Sequence, residues 1–285
     1  MPDHIVRALV PGVRIVAAIT TELVEEARRR HDCWPVATAA LGRTMTAALL
    51  LAETIKGDES LTLRISGDGP LGDIVADIPN RHCARGYVRN PQVDLPPVGG
   101  KLAVGAGVGR GILHVTQFNP QRDVFTGSVE LVSGEIAEDV TQYLLDSEQI
   151  PSTVGLGVLV DVDGRVSGAA GFLVQAMPDA TEEILKTIEK NLPLVASPSH
   201  LALEGVTAAG IIRLLLTGLF GTVYEQEPVL FCCTCNRERV SSVLRSLGDA
   251  EMASMIAEGQ AEVRCNFCNE AYQFDEQDLR AMSGP

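Results

Sequence analysis

The sequence predicts an α+β protein: a mixed α/β domain over residues 1–178, a helical linker over 179–228 and a small four-cysteine module over 229–285. Three observations carry this. Apolar segments of period two alternate with helix-like stretches as far as Pro178, the strand signal then stops, and five of the seven cysteines gather beyond residue 231. A chain of 285 residues, 46% hydrophobic, buries one large core and leaves a smaller module beside it.

Along the first domain, Glu22 to Arg30 reads as a helix because Glu25/Arg29 and Glu26/Arg30 lie four apart. Pro35 to Ile55 reads as a second. The apolar run from Trp34 to Ile55 is interrupted by Arg43 and Glu53, so it is expected to be a buried core helix and not a membrane span, which needs about 20 apolar residues. Leu61, Leu63 and Ile65 alternate with Thr62, Arg64 and Ser66, the pattern of a strand with one buried face, and Gly67-Asp68-Gly69-Pro70 supplies a turn. Strands are expected at Asp73 to Ile78, Ile112 to Phe118 and Val124 to Leu131, and a helix at Glu135 to Glu148. Val154 to Val162 leads through Asp163-Gly164 into Val166 to Met177, which reads as a hairpin. The glycine-rich stretch from Gly105 to Gly111 fits neither GxGxxG nor GxxxxGK[ST] and reads as a turn or strand edge.

The linker shows two helix-like stretches, Thr181 to Asn191 and Leu201 to Phe220. Gly205, Gly210, Gly218 and Gly221 punctuate the second, and each costs a helix interior about 1 kcal/mol relative to alanine. This helix is marginal unless something packs on it.

Net charge is −14, which opposes binding to a phosphate backbone. From Glu225 to Pro285 there are eleven Asp or Glu against five Arg and no Lys, a local −6. Neither nucleic acid nor membrane is an expected partner. The start, MPDHIVRALVPG, lacks a basic n-region followed by an apolar h-region, so a cytoplasmic location is expected. There the thiols stay reduced or bind metal.

Candidate chemistry lies in Phe231-Cys232-Cys233-Thr234-Cys235 and, after 29 intervening residues, Cys265-Asn266-Phe267-Cys268. Two short-spaced cysteine pairs joined by a loop bring four thiolates onto one tetrahedral zinc ion. No histidine follows His200, so the ligands are expected to be cysteines alone. Within the first cluster, Cys232 with Cys235 makes C-x-x-C and Cys233 with Cys235 makes C-x-C; spacing alone favours the former. Cys33 and Cys83 stand alone and read as small hydrophobes.

With these residues, with Ser66-Gly67-Asp68-Gly69-Pro70 and with Asp146-Ser147-Glu148-Gln149-Ile150-Pro151-Ser152, the chain resembles the redox-regulated 33-kDa heat-shock chaperone family over nearly its whole length. The resemblance implies that Cys233, Cys235, Cys265 and Cys268 hold one zinc per chain when reduced and form disulfides when oxidised. Cys232 departs from the family's C-x-C pattern and is a possible alternative ligand. The implied function is that of a holdase, not an enzyme: inactive when reduced and zinc-bound, it binds unfolding proteins without ATP when oxidised, as a homodimer.

Two rival readings remain from the residues. A thiol-disulfide oxidoreductase using Cys265 and Cys268 needs a low-pKa cysteine in a thioredoxin-like unit, a context the acidic tail lacks. A zinc-ribbon module for nucleic acid is opposed by the same acidity.

Overall fold

The computed structural model describes residues 1–55, 59–119 and 124–283. The chain forms two compact units, Met1–Phe231 and Cys232–Pro285. Helices and sheets occur in both, so the fold class is α+β as expected.

The first unit contains two sheets. Sheet one runs in the order β10 (Thr222–Val223), β1 (His4–Val10), β2 (Val13–Ile19), β9 (Val166–Ala176), β8 (Ser152–Val160), with β11 (Glu227–Pro228) also pairing β1. Sheet two runs β12 (Leu230–Phe231), β5 (Cys83–Val88), β4 (Ile74–Asn80), β3 (Ser60–Gly67), β6 (Gly111–Phe118), β7 (Phe125–Glu130). The expected hairpin is present as β8 and β9, antiparallel from Ser152↔Gln175 to Val160↔Val166.

Helix α1 (Thr21–His31) starts without a side-chain cap from Thr20. The carboxylate of Asp3, on the neighbouring segment, accepts from the N–H groups of Glu22 (3.2 Å) and Leu23 (2.7 Å) instead. Two orphan donors and the positive helix end are satisfied together. Of the two pairs in the sequence pattern, Glu26 with Arg30 is present, whereas Glu25 takes Arg28 and Arg29 joins Arg30 on Glu26. Glu25 is turned toward β9, where it also accepts from Val166 N, so it meets Arg28 and not Arg29.

Helix α2 (Pro35–Ala52) opens with proline at its first turn, where no N–H is needed, and packs against strands of both sheets. It is long and apolar enough to cross a bilayer, yet 89% of it is buried inside the protein, which agrees with the core-helix reading. Its Leu41, Met45, Leu49 and Leu50 meet Leu61, Leu63 and Ile65 of sheet two and Val16, Ala18 and Leu173 of sheet one in one apolar core.

The glycine-rich stretch is a strand edge only at its end, where Gly111 opens β6; its first part is a short helix, α3 (Val104–Val108), followed by Gly109 with φ 75°. The Ser66–Pro70 turn lies directly on it: Gly69 N donates to Val108 O (2.9 Å), and a Cβ on Gly67 would stand 2.0 Å from Val108 O. That close approach is why this turn is built from glycine. Helix α4 (Ala137–Asp146) falls within the predicted Glu135 to Glu148 span.

After residue 178 the chain covers the outer face of sheet one with α5 (Glu182–Asn191), a 3-10 turn (Leu192–Val195), α6 (Pro198–Leu203) and α7 (Ala208–Leu215). The single helix expected over Leu201 to Phe220 is therefore two short ones. Gly205, at φ 83°, ends the first, Thr207 Oγ1 caps the second by accepting from Gly210 N, and Gly218, also at φ 83°, follows its last turn. Ile188, Val195, Ala208, Ile211, Ile212 and Leu215 bury themselves against Val6, Ala8, Val10, Ile15 and Phe172. This second core is what makes short, glycine-flanked helices stable. The chain then runs as a strap along β1 and β5, with Glu227 paired to Arg7 at 2.7 Å and Val229 only 1% exposed.

Burial pushes the Asp3 carboxyl up to about 7, outweighing its two N–H donors. Because the folded value is above the unfolded one, the contribution to stability is complete below about pH 4 and is lost as pH rises to 7. Urea unfolding followed by the fluorescence of Trp34, the one tryptophan, should therefore show stability falling by a few kcal/mol across that window. Asp3→Asn should flatten this decline.

Candidate metal centre

The second unit has a core of five buried side chains, Val240, Leu244, Met252, Phe274 and Leu279. They come from α8 (Arg237–Ser246), α9 (Asp249–Glu258), the hairpin strand β14 (Ala271–Asp275) and α10 (Glu276–Ser283). Strand β13 (Gln260–Arg264) pairs β14 antiparallel, with Arg264 opposite Ala271. Cys265 and Cys268 occupy the loop of this hairpin. Cys265 N donates to Glu270 O and Asn269 N to Cys265 O, and Asn269 takes φ 58°, a left-handed turn conformation asparagine tolerates.

Cys233 and Cys235 lie in the segment that enters α8. Asn236 caps that helix through its side-chain oxygen, which accepts from Arg239 N (2.8 Å). Arg239 Nη1 returns to Thr234 O (3.0 Å) and Oγ1 (2.6 Å), so the residue between the two cysteines is held by the helix that follows them. Arg237 stacks over the Phe274 ring at 4.3 Å and donates to Gln273 O, joining the first turn of α8 to β14.

These supports bring four sulfurs together. The Sγ atoms of Cys233, Cys235, Cys265 and Cys268 all lie within 4.8 Å of one another, with Cys233 to Cys265 at 3.7 Å and Cys235 to Cys268 at 3.3 Å. A tetrahedral zinc with Zn–S bonds of about 2.3 Å sets sulfurs about 3.8 Å apart. The donor set therefore fits such an ion in number, type and spacing. Among the described residues it is the one His/Cys/Asp/Glu cluster of three or more arranged to hold a metal.

Burial pushes the Cys235 and Cys268 thiols up, so these two sulfurs keep their protons at neutral pH unless a cation replaces them. Cys268 is 3% exposed; the other three sulfurs belong to half-buried residues. Cys232 lies outside the cluster and outside the set of free thiols, which is Cys33, Cys233, Cys235, Cys265 and Cys268. Cys33 and Cys83 are 5% and 4% exposed within the first unit, and burial pushes the Cys33 thiol up to about 12. That makes Cys33 an inert core residue, as its isolation implied.

One participant had no signal in the cysteine spacing. The hydroxyl of Tyr272 donates to Cys235 Sγ at 3.1 Å, and this bond is the main reason the phenol is held above its ordinary range. Tyr272 and Phe274 alternate with exposed Ala271, Gln273 and Asp275, so the same strand face that fills the small core also reaches the sulfurs.

Residues 3–275 match the family model for the Hsp33 protein. The 33 kDa chaperonin of Desulforamulus reducens is 50% identical over 99% of this chain and 97% of its own length. That of Bacillus subtilis is 46% identical over 98% of each. The crystal structure of the 33 kDa chaperonin (heat shock protein 33 homolog) from Thermotoga maritima superposes with a TM-score of 0.89 at 36% identity, covering 98% of this chain and 97% of that one. Matched from end to end in sequence and in fold, this chain belongs to the Hsp33 family of chaperones.

Proposed function

We propose that the chain is a redox-regulated, ATP-independent holdase of the cytoplasm, kept inactive when reduced by one zinc ion on Cys233, Cys235, Cys265 and Cys268. The observation that carries this reading is the convergence of four sulfurs on a unit whose own core is five side chains. So small a core does not hold a unit of this length by itself. A structural zinc site contributes on the order of 10–16 kcal/mol of apparent binding free energy, enough to decide whether the unit is folded.

Oxidation acts on the ligands. Thiolates converted to sulfenic acid or disulfide no longer present four sulfur anions, so the unit loses its cross-link and loosens. Residues 179–228 act as the responding linker. Their helices are short and glycine-flanked, and they hide Ile211, Ile212 and Leu215 together with the outer face of sheet one. Loosening there presents apolar surface to unfolding client proteins, and apolar surface binds its like. Sheet two and α2 owe nothing to the metal and stay folded. The oxidised form acts as a homodimer, and no nucleotide takes part.

The functional test is suppression of a model client's aggregation. Peroxide-treated protein should suppress it and reduced zinc-loaded protein should not, with ATP making no difference; full activity of the reduced form would contradict the reading. Metal analysis supplies a second expectation: one zinc per reduced chain, with thiolate-only coordination in X-ray absorption. Cys233→Ser should lower zinc affinity at least tenfold, whereas Cys232→Ser should leave stoichiometry unchanged; the reverse would assign the C-x-x-C pair instead.

A further inference from the structure

Two side chains hold the N-terminus of α7. Thr207 Oγ1 accepts from Gly210 N (3.0 Å), and His4, on β1, accepts from Ala208 N through Nε2 (3.2 Å). The first caps its own helix. The second ties that helix to sheet one across 204 residues of sequence. Both partners in this bond are out of water, His4 being 3% and Ala208 0% exposed.

The partners of the two ring nitrogens fix the protonation state of His4. Nδ1 lies 2.9 Å from Pro2 O, a carbonyl that only accepts, so Nδ1 carries the hydrogen. Nε2 faces an amide N–H that only donates, so it keeps its lone pair. These bonds demand the neutral imidazole in one tautomer. An imidazolium carries N–H on both nitrogens and has nothing to accept with. It sets N–H against N–H, strips a buried amide of its partner, and puts a positive charge at the positive end of a helix. All three penalties are relieved when α7 moves away, and a helix of eight residues has little stability of its own to resist.

We propose that His4 is an acid-sensitive latch on α7: protonation of its imidazole removes the acceptor for Ala208 N–H and releases the helix, so that mild acid uncovers the outer face of sheet one with no oxidation of the cysteines. Histidine is the side chain that changes charge between about pH 5 and 8. Among the described residues no charged side chain bonds to the His4 ring, and the charges on the elements around it are engaged or exposed. Glu227 of β11 holds Arg7 of β1, and Arg14 of β2 donates to Thr54 O. Arg213 lies exposed in the last turn of α7, Glu204 is exposed ahead of that helix, and His200 of α6 is exposed beside Ser197. Asp3, the preceding residue, also titrates, its carboxyl being pushed up to about 7, but it holds α1 through Glu22 N and Leu23 N, and acid favours its folded form. The latch therefore has the opposite sign and a different helix as its readout. Its consequence for clients rests on the proposed function, in which the face under α7 is what binds them; the latch itself does not.

The test is peptide-resolved hydrogen exchange on the reduced, zinc-loaded full chain at about pH 7.5 and about pH 5.5, with rates corrected for the intrinsic pH dependence of exchange. Loss of a helix cap corresponds to a shift of about tenfold toward the open state, expected at α7 of the wild type in acid. His4→Gln offers an amide oxygen in place of Nε2 and gains no proton in this range, so it should hold α7 equally, within about twofold, at both pH values. Acid weakening of the cysteine site is common to both proteins, so the difference between them belongs to residue 4. Protection of α7 that is independent of pH in the wild type, or that falls equally in His4→Gln, overturns the latch. Should the variant not fold, imidazole nitrogen NMR of the wild type decides: an Nε2–H tautomer at neutral pH, or a charged His4 ring with α7 still protected, overturns it. Suppression of a model client's aggregation by the reduced protein at the lower pH tests the consequence separately. Release of α7 without suppression contradicts the proposed client surface and leaves the latch standing.

Discussion

Four sulfur atoms converge within 4.8 Å of one another, and on the proposed function the ion they hold bears the weight that a hydrophobic core bears elsewhere in the chain. In the first unit, two apolar clusters lie on the two faces of sheet one, and long side chains from both sheets enclose α2. In the second unit five buried side chains do that work, assisted by Arg237 over Phe274 and Arg239 on Thr234. Without a cross-link those contacts hold a fold only weakly; with one, they fix the loops that aim the cysteines. On the proposed function, stability and redox sensitivity are the same property of this unit, because the groups that hold the ion are the groups an oxidant attacks.

The linker carries the other half of the account. Helix α7 is eight residues long and buries four of them, Ala208, Ile211, Ile212 and Leu215. It has little stability of its own, and its packing on β1 and β2 is what keeps it helical. An element of this kind has two uses for one apolar face. It covers sheet one while docked, and on the proposed function it offers that face, with the face it uncovers, when released. The glycines at 205 and 218 sit at the two ends of α7 in left-handed conformations, where a larger residue would be strained.

Much of this was legible in the sequence, and the exceptions have physical causes. The one-faced strand at Leu61 to Ile65, the Asp163-Gly164 hairpin and the core helix from Pro35 were readable because each keeps its period. Strands β1 and β2 were not read. Sheet one is buried on both faces, so Ile5 and Val16 serve one core while Val6 and Ile15 serve the other, and alternation is lost. The strap strands β10 to β12 are two residues each and owe their existence to their partners. The four cysteines stood out as a cluster, yet spacing alone favoured Cys232 over Cys233, because C-x-x-C is the commoner pattern; in the structure it is Cys233 whose sulfur lies within 4.8 Å of the other three. Tyr272 was invisible for a different reason. Its contact with Cys235 spans 37 residues and is created by the hairpin register, which no local pattern encodes.

On the proposed function, the sulfur cluster and residues 179–228 respond together while sheet two and α2 stay folded. Peptide-resolved hydrogen exchange on the reduced zinc-loaded protein and on the peroxide-oxidised protein tests this most directly. The account predicts that oxidation removes protection from residues 232–283 and from α6 and α7, while β3, β4, β6 and α2 keep theirs. Unchanged protection of α6 and α7 in the oxidised protein would contradict it and leave the cysteine site as a structural staple.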